Sequence, residues 1–140
     1  MAFTGKQEAD IWVRISSAYA ELKQYDKVVA PADKAIAMYK AQGKPNQNPY
    51  TLKFLAYYER KLNKDAIKVL EEAVQIFPET KTWWLQLGSF YSLVEDYDKS
   101  LYTLELAYKL GYLEKDTQIK MLASLYANTQ VPYRAARLIE

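Results

Sequence analysis

A tryptophan, a leucine, a glycine and a tyrosine stand at a fixed spacing, and the same or similar residues repeat that spacing elsewhere in the chain. This repetition constrains the fold more than any other feature. The four residues fall in the segment Trp84-Leu85-Gln86-Leu87-Gly88-Ser89-Phe90-Tyr91. Earlier in the chain the same relative positions hold Trp12, Ile15, Ser16 and Tyr19. Large residues three or four positions apart form one apolar stripe along a helix. The repetition predicts a stack of helical hairpins, because one hairpin cannot cover both of its apolar faces and needs a neighbour.

The period of the pattern can be read from the small residue that opens each second helix. These residues are Val28, Ala66, Ser100 and Ala135, which lie 38, 34 and 35 residues apart. The long first interval contains a breaker-rich connector at 42–49. The residues and their spacing together resemble the tetratricopeptide repeat (TPR), a helix–turn–helix unit of about 34 residues.

The resemblance implies an all-α, right-handed superhelix of about 3.5 repeats and seven or eight helices, forming a single domain over 1–140. Repeats are expected at 9–43, 47–79, 81–113 and, truncated, 116–140. The expected helices are 7–23, 25–42, 49–62, 64–77, 80–94, 97–110, 116–129 and 132–140. Because the chain stops inside a helical pattern, we expect it to be a fragment of a longer one.

Local residues sharpen or disturb this pattern. Gly43 and Gly111 are expected to end helices, the second as a left-handed cap. Pro31 is expected to kink the second helix, because it removes a backbone donor. In the second repeat, Lys53 and Phe54 stand where leucine and a small residue are usual. The first helix of that repeat is therefore predicted to be rotated or shifted.

Composition excludes several kinds of chemistry. The chain lacks cysteine and histidine, which rules out disulfides, thiol catalysis and imidazole acid–base chemistry. The net charge of +2 arises from 19 basic and 17 acidic residues and gives no electrostatic argument for a nucleic-acid partner. The acidic cluster at 95–98 is interpreted as a solvated turn, with Asp96 at a helix N-terminus. We predict no catalytic, cofactor-binding or metal-binding residues and no enzymatic activity.

A binding surface follows from the resemblance rather than from composition. In TPR proteins the first helix of each hairpin lines a concave groove, and its inward positions can be carried over onto this chain. The predicted peptide-binding groove consists of Val13, Ser17, Glu21, Thr51, Leu55, Tyr58, Leu85, Ser89 and Ser92. The positions that grip a C-terminal carboxylate in chaperone-binding TPR domains carry no positive charge in the first three repeats. A chaperone-tail clamp is therefore not expected.

The leading functional hypothesis is a non-catalytic scaffold that binds a protein or peptide segment in this groove. The alternative is a structural spacer or self-association module, forming a homodimer through an exposed C-terminal repeat. The runs 82–88, 107–113 and 131–136 are similar to the C-terminal repeats of bacterial TPR proteins associated with TonB-dependent uptake. That similarity implies a periplasmic protein in an envelope assembly, whereas the repeats themselves leave the compartment open. No membrane-spanning segment is predicted.

Overall fold

Helices account for the regular structure of this computed structural model, which describes residues 4–128. Those residues form seven α-helices, one 3₁₀ turn and no β-strand. The elements are α1 (Gly5–Glu21), the 3₁₀ turn (Tyr25–Lys27), α2 (Val29–Ala41), α3 (Asn48–Glu59), α4 (Asn63–Ile76), α5 (Lys81–Leu93), α6 (Tyr97–Lys109) and α7 (Asp116–Asn128). The predicted all-α helical repeat is confirmed. The eighth predicted helix, at 132–140, lies outside the described residues.

The chain divides into two compact units, the first ending at Ile76 and the second beginning at Phe77. In the first unit α1 packs on α2, α3 packs on α4, and α3 also contacts both α1 and α2. In the second unit α5 packs on α6, and α6 packs on α7. The single domain over 1–140 and its repeat boundaries stay predictions.

The turn inside each hairpin is built on a left-handed residue that is not glycine. These residues are Lys23, Lys61 and Glu95, with φ of 58°, 58° and 63°. In each turn the next N–H donates to a tyrosine carbonyl five residues earlier. The pairs are Gln24 N to Tyr19 O at 2.9 Å, Leu62 N to Tyr57 O at 2.9 Å, and Asp96 N to Tyr91 O at 2.8 Å. This bond satisfies a carbonyl that the helix end would otherwise leave without a partner.

Between hairpins, glycine takes the left-handed position as predicted. Gly43 follows α2 with φ 70°, and Gly111 follows α6 with φ 81°. The N–H of the residue after Gly111 donates to Ala107 O at 2.9 Å. This hydrogen bond has the same pattern as those of the turns inside the hairpins.

Small residues allow the two helices of a hairpin to approach closely. A Cβ built on Gly88 of α5 would lie 2.5 Å from Leu104 Cδ2 of α6. At the same crossing, the buried Ser100 Oγ donates to Gly88 O at 2.7 Å. In the first hairpin the roles are exchanged, since Ser16 Oγ of α1 donates to Val28 O at 2.8 Å. A small residue at each crossing therefore lets the two helices of these hairpins lie in close contact.

The second helix of the first repeat is interrupted rather than kinked. Its first residues form the 3₁₀ turn, and α2 begins at Val29, so Pro31 lies in the first turn of α2. A helix leaves its first N–H groups without intrahelical partners, and proline is tolerated there. The predicted helix over 25–42 is therefore wrong at its start, and the break precedes Pro31 instead of bending the helix at it.

The first helix of the second repeat buries part of the face that α5 buries. α3 buries Pro49 and Ala56, at the positions where α5 buries Trp83 and Phe90. Lys53 is only half-buried where α5 buries Leu87, so the rotation or shift predicted for α3 stays a prediction. Lys53 is one of the residues that prompted that prediction, and its ammonium group pairs with Asp33 of α2.

The core of the second unit lies where α5, α6 and α7 converge. It consists of Leu104, Ala107, Leu113, Leu122, Leu125 and Tyr126. Trp84 and Leu85 of α5 pack against this cluster from one side. At roughly 1.5–3 kcal/mol for each large side chain removed from water, this burial is the main stabilising contribution in the unit.

Candidate functional site

A cleft of about 360 Å³ opens in the second unit, between α5 and the segment that leads into α7. Its lining residues are Lys81, Thr82, Leu85, Gln86, Ser89, Tyr112, Glu114, Lys115 and Gln118. Thr82, Leu85 and Ser89 are spaced three and four residues apart, so they share one face of α5. Two predicted groove residues, Leu85 and Ser89, therefore line the same cleft. Ser92, the third predicted residue of this helix, is half-buried and does not line it.

The cleft combines an apolar wall with polar groups at its mouth. Leu85 is half-buried and packs against the core of the unit. Thr82 and Ser89, which flank it on the same helix, are exposed and present hydroxyl groups. An apolar surface with a few convergent polar groups is typical of sites that bind small ligands or side chains.

The opposite wall is fixed by hydrogen bonds to one backbone carbonyl. Pro78 O accepts from Trp84 Nε1 at 2.9 Å and from Tyr112 Oη at 3.1 Å. The first donor lies on α5 and the second follows α6, so one carbonyl links the segments on the two sides of the cleft. Because this wall is already ordered, a ligand would not have to pay the entropy of ordering it.

A side chain that lines the cleft accepts hydrogen bonds from the backbone just before α7. Gln118 Oε1 accepts from Glu114 N at 3.1 Å and from Lys115 N at 3.2 Å. These bonds give partners to two backbone N–H groups just before α7 and so fix the course of the chain into that helix. Among the described hydrogen bonds, no serine, threonine or aspartate side chain caps the start of α7. The Gln118 side chain therefore supports the cleft wall, while Glu114 and Lys115 supply the charges on that side of the cleft.

The rim of the cleft is charged. Lys81 Nζ lies 3.1 Å from Glu114 Oε2, and the two side chains are 50% and 64% exposed. A pair this exposed contributes roughly 0–1 kcal/mol to stability, because water screens it. Lys115, also exposed, has no carboxylate partner among the described residues.

Sequence reasoning overlooked these rim charges. It considered only the inward helix positions, and Leu85 and Ser89 carry no charge there. The lysines lie at the start of a helix and in the loop one repeat later. Lys81 and Glu114 are 33 residues apart, about one repeat period, which makes their repeat positions similar but does not fix where their side chains point.

In the first unit the predicted groove residues are divided between core and surface. Val13 of α1 packs against the buried cluster of Ala9, Ala35 and Tyr39. On α3, which contacts α1, Leu55 and Tyr58 are 37% and 55% exposed. The Tyr58 ring lies 6.2 Å from the Phe54 ring. The other three are Ser17, half-buried, Glu21, exposed, and Thr51, exposed with Oγ1 3.2 Å from Gln47 O.

Two tyrosines of the first unit have raised pKa values for structural reasons. Burial raises the pKa of Tyr39 to about 12, helped by its hydrogen bond to Asp10 and the charge of that carboxylate. Burial also raises the pKa of Tyr50 to about 12, with contributions from the charges of Glu72 and Asp33. Both phenols stay protonated at neutral pH, so neither is suited to act there as a general base.

The acidic cluster at 95–98 forms the turn expected of it. Asp96 is the N-cap of α6 and accepts from Lys99 N at 3.4 Å, while Glu95 is the left-handed turn residue. Within residues 4–128, no three histidine, cysteine, aspartate or glutamate side chains are grouped as metal ligands would be. None of the helices in that range is both long and apolar enough to span a bilayer.

Comparison with known proteins identifies the fold. No family model and no curated protein matches the chain. The solved structure of MamA AMB-1 in form P212121 matches with a TM-score of 0.73 and 16% identity, over 94% of this chain and 69% of that one. The MamA 41-end structure from Desulfovibrio magneticus RS-1 matches with a TM-score of 0.66 and 21% identity, over 94% and 71% of the two chains. These similarities show that the fold is a TPR-like helical repeat.

Proposed function

We propose that this protein is a non-catalytic scaffold that binds a peptide segment of a partner protein in the cleft of its second unit. The observation that carries the proposal is the composition of that cleft. Leu85 supplies an apolar wall, Thr82 and Ser89 supply hydroxyl groups, and the opposite wall is held by hydrogen bonds to Pro78 O. The TPR-like fold supports the proposal, because solenoids present extended surfaces of this kind to partners.

The shape and chemistry of the cleft favour a short stretch of peptide over a folded surface. A volume of about 360 Å³ lies at the lower end of the range for ligand pockets, roughly 300–1,000 Å³. One or two side chains fill such a space. Hydroxyl and amide groups around an apolar wall can bond to peptide backbone while an apolar side chain occupies the centre.

Selection from a random peptide library, followed by fluorescence anisotropy with the selected peptides, tests the proposal. Ser89→Trp is the most direct variant, because Ser89 is exposed and lines the cleft. The indole fills the cleft and should weaken binding by about ten-fold or more, at a cost of about 1.4 kcal/mol. Leu85→Glu should weaken it as well, although Leu85 also packs on the core.

The matched control is Lys68→Trp, which places the same side chain on an exposed position of α4 in the other unit. It should leave binding unchanged. Peptides that bind the Ser89→Trp variant as tightly as the unchanged protein would remove the cleft as the site. A parallel Leu55→Glu variant then tests whether the exposed residues of α3 bind the peptide instead.

A bacterial envelope setting of the TonB type and a periplasmic location are part of the same proposal and rest on the sequence resemblance. The alternative is self-association through the C-terminal repeat, whose last residues lie outside the described range. Light scattering with and without residues 129–140 separates the two functions, because this truncation keeps α7 and the cleft. A dimer that becomes monomeric on truncation would favour the spacer.

A further inference from the structure

The first hairpin, which belongs to the first compact unit, carries an apolar face of its own. A cavity of about 380 Å³ opens there between α1 and the start of α2. Trp12, Ile15 and Tyr19 line one side, and Ala30 and Pro31 line the other. The three residues of α1 are only half-buried. Among the described elements, α1 contacts only α2, α3 and the 3₁₀ turn.

The equivalent face of the second hairpin shows what packs on such a surface. Tyr50 and Lys53 follow Trp12 and Ile15 by 38 residues, the interval between the first two repeats. Tyr50 is 1% exposed. Lys53 Nζ lies 2.8 Å from a carboxylate oxygen of Asp33, on α2. On the second hairpin, α2 of the hairpin before it therefore covers the α3 side of this face, whereas Lys68 and Glu72 of α4, which correspond to Ala30 and Lys34, are exposed.

Charge distinguishes the open face from the covered one. Lys34 Nζ lies 4.2 Å from the centre of the Trp12 ring, and Lys27 Nζ lies 5.8 Å from that of Tyr19. Both lysines line the cavity, and Asp26 is the single carboxylate among its lining residues. Neither lysine belongs to an ion pair among the described residues. A group that covers this face therefore meets an apolar centre and two cationic edges.

We infer that this face docks an amphipathic helix of a partner protein, with an apolar stripe on Trp12 and Ile15 and acidic residues against Lys27 and Lys34. The helix takes the place on the first hairpin that α2 takes on the second. An acidic flank is required because the lysine heads lie over the aromatic rings, and carboxylates draw them aside to the rim. This interaction is separate from peptide binding in the second unit.

The probe is a dye-labelled synthetic helix of about five turns, stapled to keep it helical, with a leucine stripe flanked by glutamates. Its counterpart has the same leucines and lysines in place of the glutamates. By fluorescence anisotropy, the glutamate helix should bind about ten-fold more tightly or better, since two contacts change from attractive to repulsive. The double variant Lys27→Glu, Lys34→Glu should reverse this preference.

Two further variants locate the binding. Ala30→Trp fills the cavity from an exposed position of α2 and should abolish binding of the glutamate helix. Ile15→Glu should do the same, and if circular dichroism shows that it is unfolded, Ala30→Trp alone decides. The control Lys68→Glu makes the same charge change on exposed α4 and should leave affinity unaltered.

Equal affinity for the glutamate and lysine helices, or an unchanged preference after charge reversal, would overturn the inference. So would undiminished binding to the Ala30→Trp variant. Sedimentation of the protein without any peptide tests whether a second copy of this chain occupies the face instead. If the unchanged protein is a dimer and Ala30→Trp makes it a monomer, the face is occupied by a second copy of this chain, and a partner helix is excluded.

Discussion

Single residues set how closely the helices approach, and Gly88 is the clearest case. In Gly88→Ala the new methyl would meet Leu104 Cδ2 at 2.5 Å and Cγ at 2.6 Å. Leu104 is fully buried, so it has little room to move. Overpacking costs about 1–3 kcal/mol, whereas alanine gains about 1 kcal/mol of helix propensity. Since contacts this short to a fully buried side chain put the overpacking at the upper end of its range, we expect a net loss of about 2 kcal/mol in the free energy of unfolding, measured by urea denaturation.

Ser89→Ala is the matched control for that prediction. It lies on the same helix, but its side chain is exposed and away from the crossing. Its stability should change by about 0.5 kcal/mol or less. A Gly88→Ala protein as stable as the unchanged one would show that α5 and α6 can separate without loss.

A second prediction at this scale concerns pH. The pKa of Tyr39 is raised to about 12 in the folded protein, against about 10 in an unfolded chain. Folding therefore favours the protonated phenol, whose stabilising contribution is complete below pH 10 and disappears as pH rises from about 10 to about 12. Urea unfolding at about pH 9 and about pH 11 measures this loss.

Tyr39→Phe should lose less stability over that interval than the unchanged protein does. Tyr50, whose pKa is also about 12, remains in both proteins and cancels in the comparison. Equal losses in the two proteins would mean that Tyr39 ionises as readily in the folded state as in the unfolded chain.

At the scale of elements, the contact of α3 with α2 includes a lysine where the other hairpins have an apolar residue. Lys53 corresponds to Ile15 and Leu87. Its side chain is 14% exposed, and its partner Asp33 is 54% exposed. The stem of Lys53 is therefore mostly buried, while its charge pairs with a carboxylate at the surface, and such an exposed pair contributes little. Lys53→Leu should therefore raise the free energy of unfolding by about 1 kcal/mol.

Chemical denaturation measures the effect, and Asp33→Asn is its control. That change removes the carboxylate while leaving the buried stem of Lys53 in place, so it should lower stability by about 1 kcal/mol or less. A destabilised Lys53→Leu protein would mean that the ion pair, and not the packing of the stem, holds α2 on α3.

The ends of most elements could be predicted from sequence because they depend on local chemistry. Gly43 and Gly111 supply left-handed residues that cost glycine little. The turns at Lys23, Lys61 and Glu95 carried no such signal. Their backbone is held by hydrogen bonds to tyrosine carbonyls. These bonds join backbone atoms only, so the side chain of the turn residue does not reveal them.

The candidate site was predictable only in part. The resemblance to TPR proteins pointed to Leu85 and Ser89, and both line the cleft on one face of a helix whose ends were predicted to within a residue. The charged rim depends on a loop one repeat later, and no periodicity fixes where its side chains point. The start of α2 was missed for a related reason. The pattern placed Pro31 in the interior of a helix, and only the backbone shows that the helix begins after the 3₁₀ turn, at Val29.

For the whole molecule, the two compact units suggest two regions of independent stability. The first unit has a buried cluster of its own around Ala9, Ala35 and Tyr39, and α3 covers part of both helices of the first hairpin. A fragment of residues 1–76 should therefore be helical and should melt cooperatively, as followed by circular dichroism.

A fragment of residues 1–47 provides the comparison, because it contains the first hairpin without α3. A lone hairpin leaves one apolar face uncovered, so this fragment should have low helicity and no cooperative transition. If the two fragments melted alike, packing between hairpins would not be what stabilises the unit.

The buried serine bonds have a consequence for how such a chain can change over time. Serine stands on the first helix in one hairpin and on the second helix in another, yet the hydroxyl–carbonyl distances are 2.8 and 2.7 Å. A hairpin with serine at both positions could lose either one and keep the bridge. The serine that donates the bond can thus move from one helix to the other over successive substitutions, while the spacing of the two backbones stays the same. Divergence of this kind would separate sequences without separating folds.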